Sequence, residues 1–556
     1  MKKFQVGLAT SAIVLVASTI TMVGPAAVDQ TVASASPVAQ APLNLANEQG
    51  TLWSCAFNPF IPSSLPYSFG LTYESLDFVN ALQSGKVTPW LASSYAWSNA
   101  NKTLTFMIRS GVKWSDGVPF SAADVVYTFD LLKKYPALDL NAVWSVLSNV
   151  TASGNKVTMN FKSAAVPYFF YVAGQVPIVP EHLWSKIANP VTATISSPVG
   201  TGGYVMSKCS GQNIHWTANP HYWQKGKAQI KSVNMPAFLS NNTCNEYLAS
   251  GQSAWGSQFI PNIQSAYVAK KSGNSYWFAP VANVSLFPNL TVPGLNDAKV
   301  RQAISYAINR SLVSKIGEYG YEPPASQTGI VSPTFKSWLS SSATAGLSNT
   351  ANTAKAAAIL ASDGYKLVNG VYTKGSTKLA FTLTTNGAYS DWIASMQVVS
   401  QQLTKFGIRI TLQTPAQATF YSNLFSGKYQ LAYDAEAGGP TPFYELRQML
   451  FSKNSAPIGT AASSNWERYA NPTTDALLNQ YGATTNVATQ KSIVTKLEEI
   501  MVTQAPVIPV LEEVDWFQFN PTHIGNFPSA ANPYAQAGLY NQPDWGYVLD
   551  NLVPKA

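Results

Sequence analysis

Residues 111–125 read GVKWSDGVPFSAADV and combine a strand exit, a tight turn and the start of a capped helix in fixed order. Apolar side chains alternate with other residues over 103–108, the pattern of a half-buried strand. The Asp-Gly pair at 116–117 supplies the turn, because glycine adopts a positive φ without steric cost. Ser121, followed three residues later by Asp124, predicts a capping box at the helix start. The stretch is scaffolding and carries no chemistry of its own.

Further segments follow in a fixed order along the chain. They read VTPWLA at 87–92, PVGTGGY at 198–204 followed by NPHYW at 219–223, DAKVRQAISYAINR at 297–310, NPTTD at 471–475 and APVIP at 505–509. Together with residues 111–125, they resemble the signature of extracellular solute-binding proteins of family 5, the peptide and oligosaccharide class that delivers ligands to ABC importers. One position departs from the family pattern, since Asn309 stands where an Asp usually precedes the Arg.

The resemblance implies an α/β fold of the bilobed, periplasmic-binding-protein-like (Venus-flytrap) type with an extra inserted domain. A flexible lead, rich in small residues, precedes a fold expected to begin near Thr51. The expected boundaries are the lead at 36–50, a discontinuous domain I at 45–75, 196–282 and 510–556, an inserted domain II at 76–195, and domain III, the second lobe, at 283–509.

Local periodicity agrees with an α/β lobe. Apolar residues from Val300 to Leu312 follow a 3.6-residue period, which predicts an amphipathic helix capped by Asn296 or Asp297. A second helix is predicted over 391–406, with Gly407 as its stop and a strand directly after it. This alternation of helix and strand favours a lobe built on a central sheet.

The N-terminus has the pattern of a secretory signal. Lys2 and Lys3 precede an apolar run from Val6 to about Val23, and Ala33-Ser34-Ala35 forms a small-residue cleavage site, so residues 1–35 are expected to be removed. The alternative is a retained membrane anchor. No cysteine follows the apolar run, so the lipobox that tethers many relatives is missing. We expect an extracellular protein, held at the cell surface by other means.

The composition narrows the class of protein. The 556 residues are 46% hydrophobic, enough for substantial cores, and carry a net charge of +8. Basic residues form no cluster longer than two, which argues against nucleic acid as a partner. Only 11% of the residues are charged, which would suit a surface exposed to acid, where dense carboxylates would titrate. An acidic habitat is therefore a hypothesis.

The three cysteines do not form a metal framework, because paired C-x-x-C or Cys/His spacings are absent from the sequence. The resemblance places Cys209 and Cys244 in domain I, where they could form one disulfide and leave Cys55 free. The sequence leaves this pairing open. No cofactor is expected.

The sequence contains none of the common catalytic motifs: G-x-S-x-G, a P-loop, H-E-x-x-H or a dinucleotide fingerprint. The four histidines lack i, i+4 pairing. Of the paired carboxylates, Glu498-Glu499 falls on an amphipathic helix, whereas Glu512-Glu513 could line a cleft. We expect a non-enzyme. The remote alternative is a secreted glycoside hydrolase that uses a carboxylate pair such as Glu436 and Glu513.

Two ligand classes remain open. Peptide-binding relatives place an Asp near the position of Glu436, but their surrounding pattern of aromatic residues and Asp is missing here. Three segments, at 57–60, 131–139 and 531–535, resemble the cello-oligosaccharide binders of the same family. These segments favour an oligosaccharide, with an oligopeptide as the alternative. The 15 Trp and 27 Tyr residues agree, because a pyranose packs its C–H face on a flat ring.

Tryptophans near the ends of helices and strands are the best candidates for platforms on which a ligand stacks, because such positions line clefts. Polar side chains near them would bind ligand hydroxyls. The predicted ligand-binding residues are Trp53, Trp392, Trp466 and Trp516 as platforms, Asn58, Glu436 and Asp515 as polar contacts, and Trp255 as a weaker addition. The expected partners are the ligand and the permease subunits of an ABC transporter, and we expect a monomer.

Overall fold

The computed structural model describes residues 41–47, 50–61, 67–332, 334–435 and 438–555. The predicted signal peptide at 1–35 and the candidate Glu436 lie outside the described residues. Within the described ranges, no helix combines the length and the apolar character needed to cross a membrane.

Strands are found along the whole described chain. In chain order they are β1 (Leu43–Asn47), β2 (Asp77–Asn80), β3 (Lys86–Pro89), β4 (Ala92–Ser98), β5 (Thr103–Ile108), β6 (Leu147–Ser153), β7 (Lys156–Phe161), β8 (Tyr204–Ser210), β9 (Asn213–Ala218), β10 (Ser232–Pro236), β11 (Trp255–Ser257), β12 (Ser275–Tyr276), β13 (Ala279–Pro288), β14 (Lys366–Val368), β15 (Val371–Lys374), β16 (Thr377–Lys378), β17 (Ala380–Thr384), β18 (Arg409–Gln413), β19 (Leu431–Ala435), β20 (Ile508–Asp515), β21 (Gln518–Phe519), β22 (Ile524–Gly525) and β23 (Val553–Pro554).

Helices are concentrated after residue 298. In chain order they are α1 (Ala122–Lys134), α2 (Glu181–Trp184), α3 (Asn241–Ala249), α4 (Ile263–Ala266), α5 (Ala298–Ala307), α6 (Arg310–Gly317), α7 (Ser341–Thr344), α8 (Thr353–Ser362), α9 (Ser390–Phe406), α10 (Gln417–Ser426), α11 (Pro442–Leu450), α12 (Pro472–Gly482), α13 (Val487–Gln504) and α14 (Asp544–Asn551).

A seven-stranded sheet collects segments from both ends of the chain, in the order β12-β21-β11-β1-β10-β9-β8. Strand β1 lies inside it, parallel to β10 on one side and to β11 on the other. The prediction of a flexible lead as far as residue 50 is therefore wrong for residues 43–47. Leu43, Leu45 and Ala46 are buried, and their burial holds this strand in the sheet.

The stretch at 111–125 follows a four-stranded antiparallel sheet, β4-β5-β7-β6, and leads into α1. The predicted capping box is confirmed: Ser121 Oγ accepts a hydrogen bond from the Ala123 N–H at 3.2 Å, and Asp124 Oδ2 accepts one from the Ser121 N–H at 2.9 Å. Gly117 has a φ of +89°, as the predicted turn requires. Trp114 is fully buried, so this segment is scaffold.

A five-stranded sheet in the order β18-β17-β19-β13-β20 draws its strands from residues 279–515. The predicted helix over 391–406 is confirmed as α9, and Gly407 ends it with a φ of +111°. The helix predicted from Val300 to Leu312 is capped by Asp297 but ends at Ala307. Asn309 then caps a separate helix, α6, because its side chain accepts a hydrogen bond from the Leu312 N–H.

The disulfide joins Cys55 to Cys209, whose Cα atoms lie 5.8 Å apart, and Cys244 takes no part in it. The expected pairing of Cys209 with Cys244 is therefore wrong. The residue 53 backbone runs beside the turn after β8, since the Trp53 N–H donates to the Gly211 carbonyl at 2.8 Å. Cys244 lies instead on α3, fully buried in a separate hydrophobic cluster with Leu248.

Candidate ligand-binding site

Two neighbouring strands connect the seven-stranded and five-stranded sheets. Two residues separate β12 from β13, and two residues separate β20 from β21. Strands β13 and β20 pair with each other, Ala279 lying opposite Asp515 at the end nearest the seven-stranded sheet. The Trp277 N–H donates to the Phe517 carbonyl at 3.0 Å, which continues the pairing across the crossing. The candidate site lies beside this crossing.

Five carboxyl groups from four elements come together there. We call them the acidic cluster: Glu318 and Glu322 from the turn that follows α6, Asp391 from the first turn of α9, Asp434 from β19, and Glu513 from β20. Glu318, Glu322, Asp391 and Asp434 are at most 5% exposed, whereas Glu513 is half-buried. Glu513 is thus the least buried residue of the cluster, although its Oε2 atom is itself buried.

The protein satisfies only part of the cluster's hydrogen-bonding capacity. Ser395 Oγ donates to Glu318 Oε1 at 2.8 Å, and the Ala435 N–H donates to Asp434 Oδ1 at 2.8 Å. The second oxygens of these two groups, together with Asp391 Oδ1, have no hydrogen-bond partner among the described residues. Buried polar atoms in folded proteins usually have partners, so these unpaired oxygens make the cluster a candidate binding site.

Burial is the main reason why the cluster resists ionisation. It raises the pKa of Asp391 to about 7 and that of Asp434 to about 8. Burial, reinforced by the charges of Asp434 and Asp391, raises the pKa of Glu513 to about 8. Burial and the neighbouring carboxyls hold the pKa of Glu318 and of Glu322 well above the ordinary range.

Aromatic rings surround these carboxyls. Tyr433 is fully buried, its hydroxyl has no hydrogen-bond partner among the described residues, and four of the five carboxyls act on it electrostatically. Trp392 packs edge-on against Tyr433, with ring centroids 5.5 Å apart. On the turn between Glu318 and Glu322, Tyr319 is 47% exposed, and its ring stacks parallel to that of Tyr321.

Three of the predicted site residues border the acidic cluster: Trp392, Asp515 and Trp516. Trp516 packs edge-on against Tyr321 and Phe259. Asp515 accepts hydrogen bonds from the backbone N–H groups of residues 537 and 538 and from the Asn541 side chain. Burial raises its pKa to about 6 although these bonds oppose the rise. Its carboxylate is occupied in holding the C-terminal segment.

The structure does not bring Trp53, Asn58 and Trp255 to this site. All three are buried; Trp53 and Trp255 belong to the hydrophobic core beside the seven-stranded sheet. The indole N–H groups of Trp53 and Trp255 donate to the carbonyls of Met235 and Ala537, each at 2.8 Å. The Asn58 amide donates to two carbonyls, those of residues 190 and 193. These contacts describe structural roles.

Trp466 also lies away from the acidic cluster. It is 7% exposed, and its ring packs against Phe287 and Phe425, with centroids 5.0 and 5.9 Å away. The surrounding packing argues against a role as a ligand platform. Glu436 follows Asp434 by two positions but lies outside the described residues.

Sequence reasoning missed most of the cluster. Glu513 was recognised as a possible cleft residue, but Glu318, Glu322, Asp391 and Asp434 were not singled out. The detectable signal was the segment from Glu318 to Glu322, where two carboxylates flank two tyrosines around a glycine. Tyr319 and Gly320 there have φ values of +52° and +80°, a left-handed turn that presents the Tyr319 ring outward. In the described part of the chain, no three His, Cys, Asp or Glu residues are grouped to hold a metal ion.

The comparisons with known proteins agree on one family. Residues 86–457 match the family model "Bacterial extracellular solute-binding proteins, family 5 Middle". The oligopeptide-binding protein OppA of Bacillus subtilis is 26% identical over 476 residues, which cover 80% of this chain and 83% of OppA. The glutathione-binding protein GsiB of Salmonella typhi is 25% identical over 511 residues, which cover 84% of this chain and 86% of GsiB.

Solved structures share the fold. The mannohexaose-bound periplasmic oligopeptide-binding protein of an ABC transporter from Thermotoga maritima superposes with a TM-score of 0.85 at 25% identity, covering 92% of this chain and 98% of the other. The oligopeptide-binding protein AppA of Bacillus subtilis, in complex with a nonapeptide, gives a TM-score of 0.76 at 18% identity, covering 91% and 98%. The α/β, bilobed fold is thereby confirmed.

Proposed function

Because the chain belongs to the bacterial extracellular solute-binding proteins of family 5, we propose that it captures an oligosaccharide for an ABC importer. The observation that carries this proposal is the similarity to the mannohexaose-bound Thermotoga maritima protein, at a TM-score of 0.85 over nearly the whole of both chains. Members of this family carry substrates and do not transform them, so capture yields the protein with its ligand bound and unchanged.

The chemistry of the candidate site supports this ligand class. Tyr319 offers an exposed ring of the kind on which the apolar face of a pyranose packs. Glu513 and Asp434 supply oxygens within the adjacent cluster, which can hydrogen-bond to hydroxyl groups. The turn that carries Tyr319 also carries Glu318 and Glu322 of the cluster, so one segment offers both a stacking surface and hydrogen-bonding groups.

Domain boundaries and hinge closure are part of the proposal. Domain I would comprise 45–75, 196–282 and 510–556, domain II 76–195 and domain III 283–509, so that β13 and β20 cross between domains I and III. Closure requires the ligand to contact both lobes, because only differential affinity shifts a conformational equilibrium. The closed, loaded form would then be recognised by permease subunits outside the cell, after export by the signal at 1–35.

A ligand panel tests the proposal. Tryptophan fluorescence and melting temperature would be measured with cello-, xylo-, manno- and malto-oligosaccharides and with short peptides. We expect both signals to shift with at least one oligosaccharide series. Shifts with peptides alone would refute the sugar assignment, and new reducing ends after prolonged incubation would refute the role as a carrier.

Tyr319 provides a sharper test. Tyr319→Ala removes an exposed ring, so we expect little change in melting temperature but a loss of roughly 1–3 kcal/mol in binding, by analogy with base stacking on aromatic side chains. The matched control is Tyr95→Ala, which removes a 40% exposed tyrosine on the separate four-stranded sheet. Equal affinities for the two variants would remove Tyr319 from the site.

An oligopeptide is the second candidate, favoured by OppA as a relative and by the acidic cluster, which could bind an ammonium group. The resemblance to peptide binders assigns the ammonium partner to Glu436. Glu436→Gln should therefore abolish most peptide binding, because a desolvated charge would lose its partner. Sugar binding should survive the same change, and calorimetry with both ligand classes separates the two functions.

A further inference from the structure

Among the residues that the structure describes, the acidic cluster has no cationic partner. The groups that act on the pKa of its five carboxyls include no Lys, Arg or His of the described residues. The titratable groups that interact with the cluster from the surrounding elements are also acids: Tyr421 on α10, Tyr433 on β19, Glu445 on α11, Asp515 on β20 and Tyr540 near the C-terminus.

Two observations besides the grouping of carboxyl groups indicate that the acidic cluster can bind a ligand. Asp391 Oδ1 and Asp434 Oδ2 are unpaired on side chains that are at least 95% buried. The Tyr433 hydroxyl, fully buried and acted on by four of the carboxyls, is also unpaired among the described residues. The site therefore holds both donors and acceptors that the protein leaves free.

Five adjacent negative charges cannot persist in a buried, weakly polar environment. They must be neutralised by protons or by a bound cation. We propose that the acidic cluster acts as a proton-loaded unit, whose carboxyl O–H groups bind an uncharged, hydroxyl-bearing ligand at acidic pH and lose this ability as the pH rises through neutrality.

This inference rests on the proposed function, since it assigns the oligosaccharide's hydroxyls to the cluster. A protonated carboxyl has one donor and one acceptor side, like a sugar hydroxyl, so the two can form reciprocal hydrogen bonds. Once ionised, the carboxyls can only accept, and they repel one another.

The test uses mannohexaose and calorimetry at pH 5, 6.5 and 8, in buffers with different ionisation enthalpies so that linked protons are counted. We expect at least a tenfold loss of affinity between pH 5 and pH 8, with proton uptake on binding near neutrality. Glu513→Gln and Asp434→Asn, which mimic the neutral forms, should each weaken the pH dependence. Glu246→Gln and Asp130→Asn, both exposed, are the matched controls and should leave it intact.

Equal affinity at all three pH values would overturn the inference, and so would an unchanged pH dependence in both cluster variants. Tighter binding at pH 8 would also overturn it and indicate a cationic ligand instead. If no oligosaccharide binds at any pH, the proposed function fails separately. In that case, potentiometric titration of the ligand-free protein tests proton loading. Wild type should release protons between pH 6 and 8 that Glu513→Gln does not release. Identical titration curves for the two proteins would refute proton loading.

Discussion

Trp466 shows how a polar sequence can surround a core residue. Its neighbour Asn465 is fully buried: the amide donates to the carbonyls of Phe451 and Tyr469 and its oxygen accepts from the Tyr469 N–H. The polar side chain thus stabilises a buried turn. The polarity of the segment led to the prediction of a ligand platform, because sequence alone does not distinguish a polar group serving backbone from one facing solvent.

Removing the Trp466 ring should destabilise the fold. Its contacts with Phe287 and Phe425 would be replaced by a cavity, so Trp466→Ala should lower the free energy of unfolding by about 3–5 kcal/mol. Ligand affinity at a temperature where the variant is folded should stay unchanged. Chemical denaturation and calorimetry provide the two measurements; a stable variant with weakened binding would return Trp466 to the site.

At the scale of elements, the cap of α1 offers a local test. Ser121→Ala removes the acceptor for one backbone N–H group and should lower the free energy of unfolding by about 1 kcal/mol. Asp124→Ala should lower the free energy of unfolding further, because this carboxylate accepts hydrogen bonds from the N–H groups of both Ser121 and Glu181. Urea denaturation measures both. Ser492→Ala, at an exposed position within α13, is the control and should be neutral or slightly stabilising.

The Cys55–Cys209 bond ties the segment before Phe57 to the end of β8. Replacing both cysteines by serine should lower the free energy of unfolding by about 2–5 kcal/mol, whereas Cys244→Ala should leave the bond intact. Alkylation of the denatured, unreduced protein should modify Cys244 alone. Modification of either other cysteine would contradict this pairing.

Local signals predicted elements well, but not their assembly. The α9 boundaries followed from periodicity and from Gly407, and the cap of α1 from two residues. The break between α5 and α6 was missed because the apolar period continues through Ile308, although Asn309 starts a new helix there. The acidic cluster could not be predicted, since it joins residues from 318 to 513 through long-range packing.

For the whole molecule, buried carboxyls predict unusual pH dependence of stability. Burial raises the pKa of Glu445 to about 8, and those of Glu74 and Asp77 to about 7, compared with ordinary values near 4. As the pH rises, the unfolded chain therefore loses protons first and is favoured. Stability should be greatest near pH 4 and fall progressively towards pH 8.

Melting temperatures between pH 3 and 9 at constant ionic strength measure this trend. Glu445→Gln should make the melting temperature depend less on pH. Asn283 donates to Glu445 through its backbone N–H and its side-chain amide, and it keeps an acceptor in the glutamine. A melting temperature that rises from pH 4 to pH 8 would contradict the prediction. The expected direction agrees with the hypothesis of an acidic habitat.

The order of strands in the seven-stranded sheet also has a consequence for biosynthesis. Strand β1, at residues 43–47, lies between β10 and β11, and β21, at residues 518–519, completes the pairing of β11. At 5–20 residues per second, the ribosome needs on the order of half a minute or more between the two segments. Strand β1 can pair with β10 and β11 before then, but the other edge of β11 stays without its partner until β21 is made, so the nascent chain stays open to chaperones and to the translocation machinery.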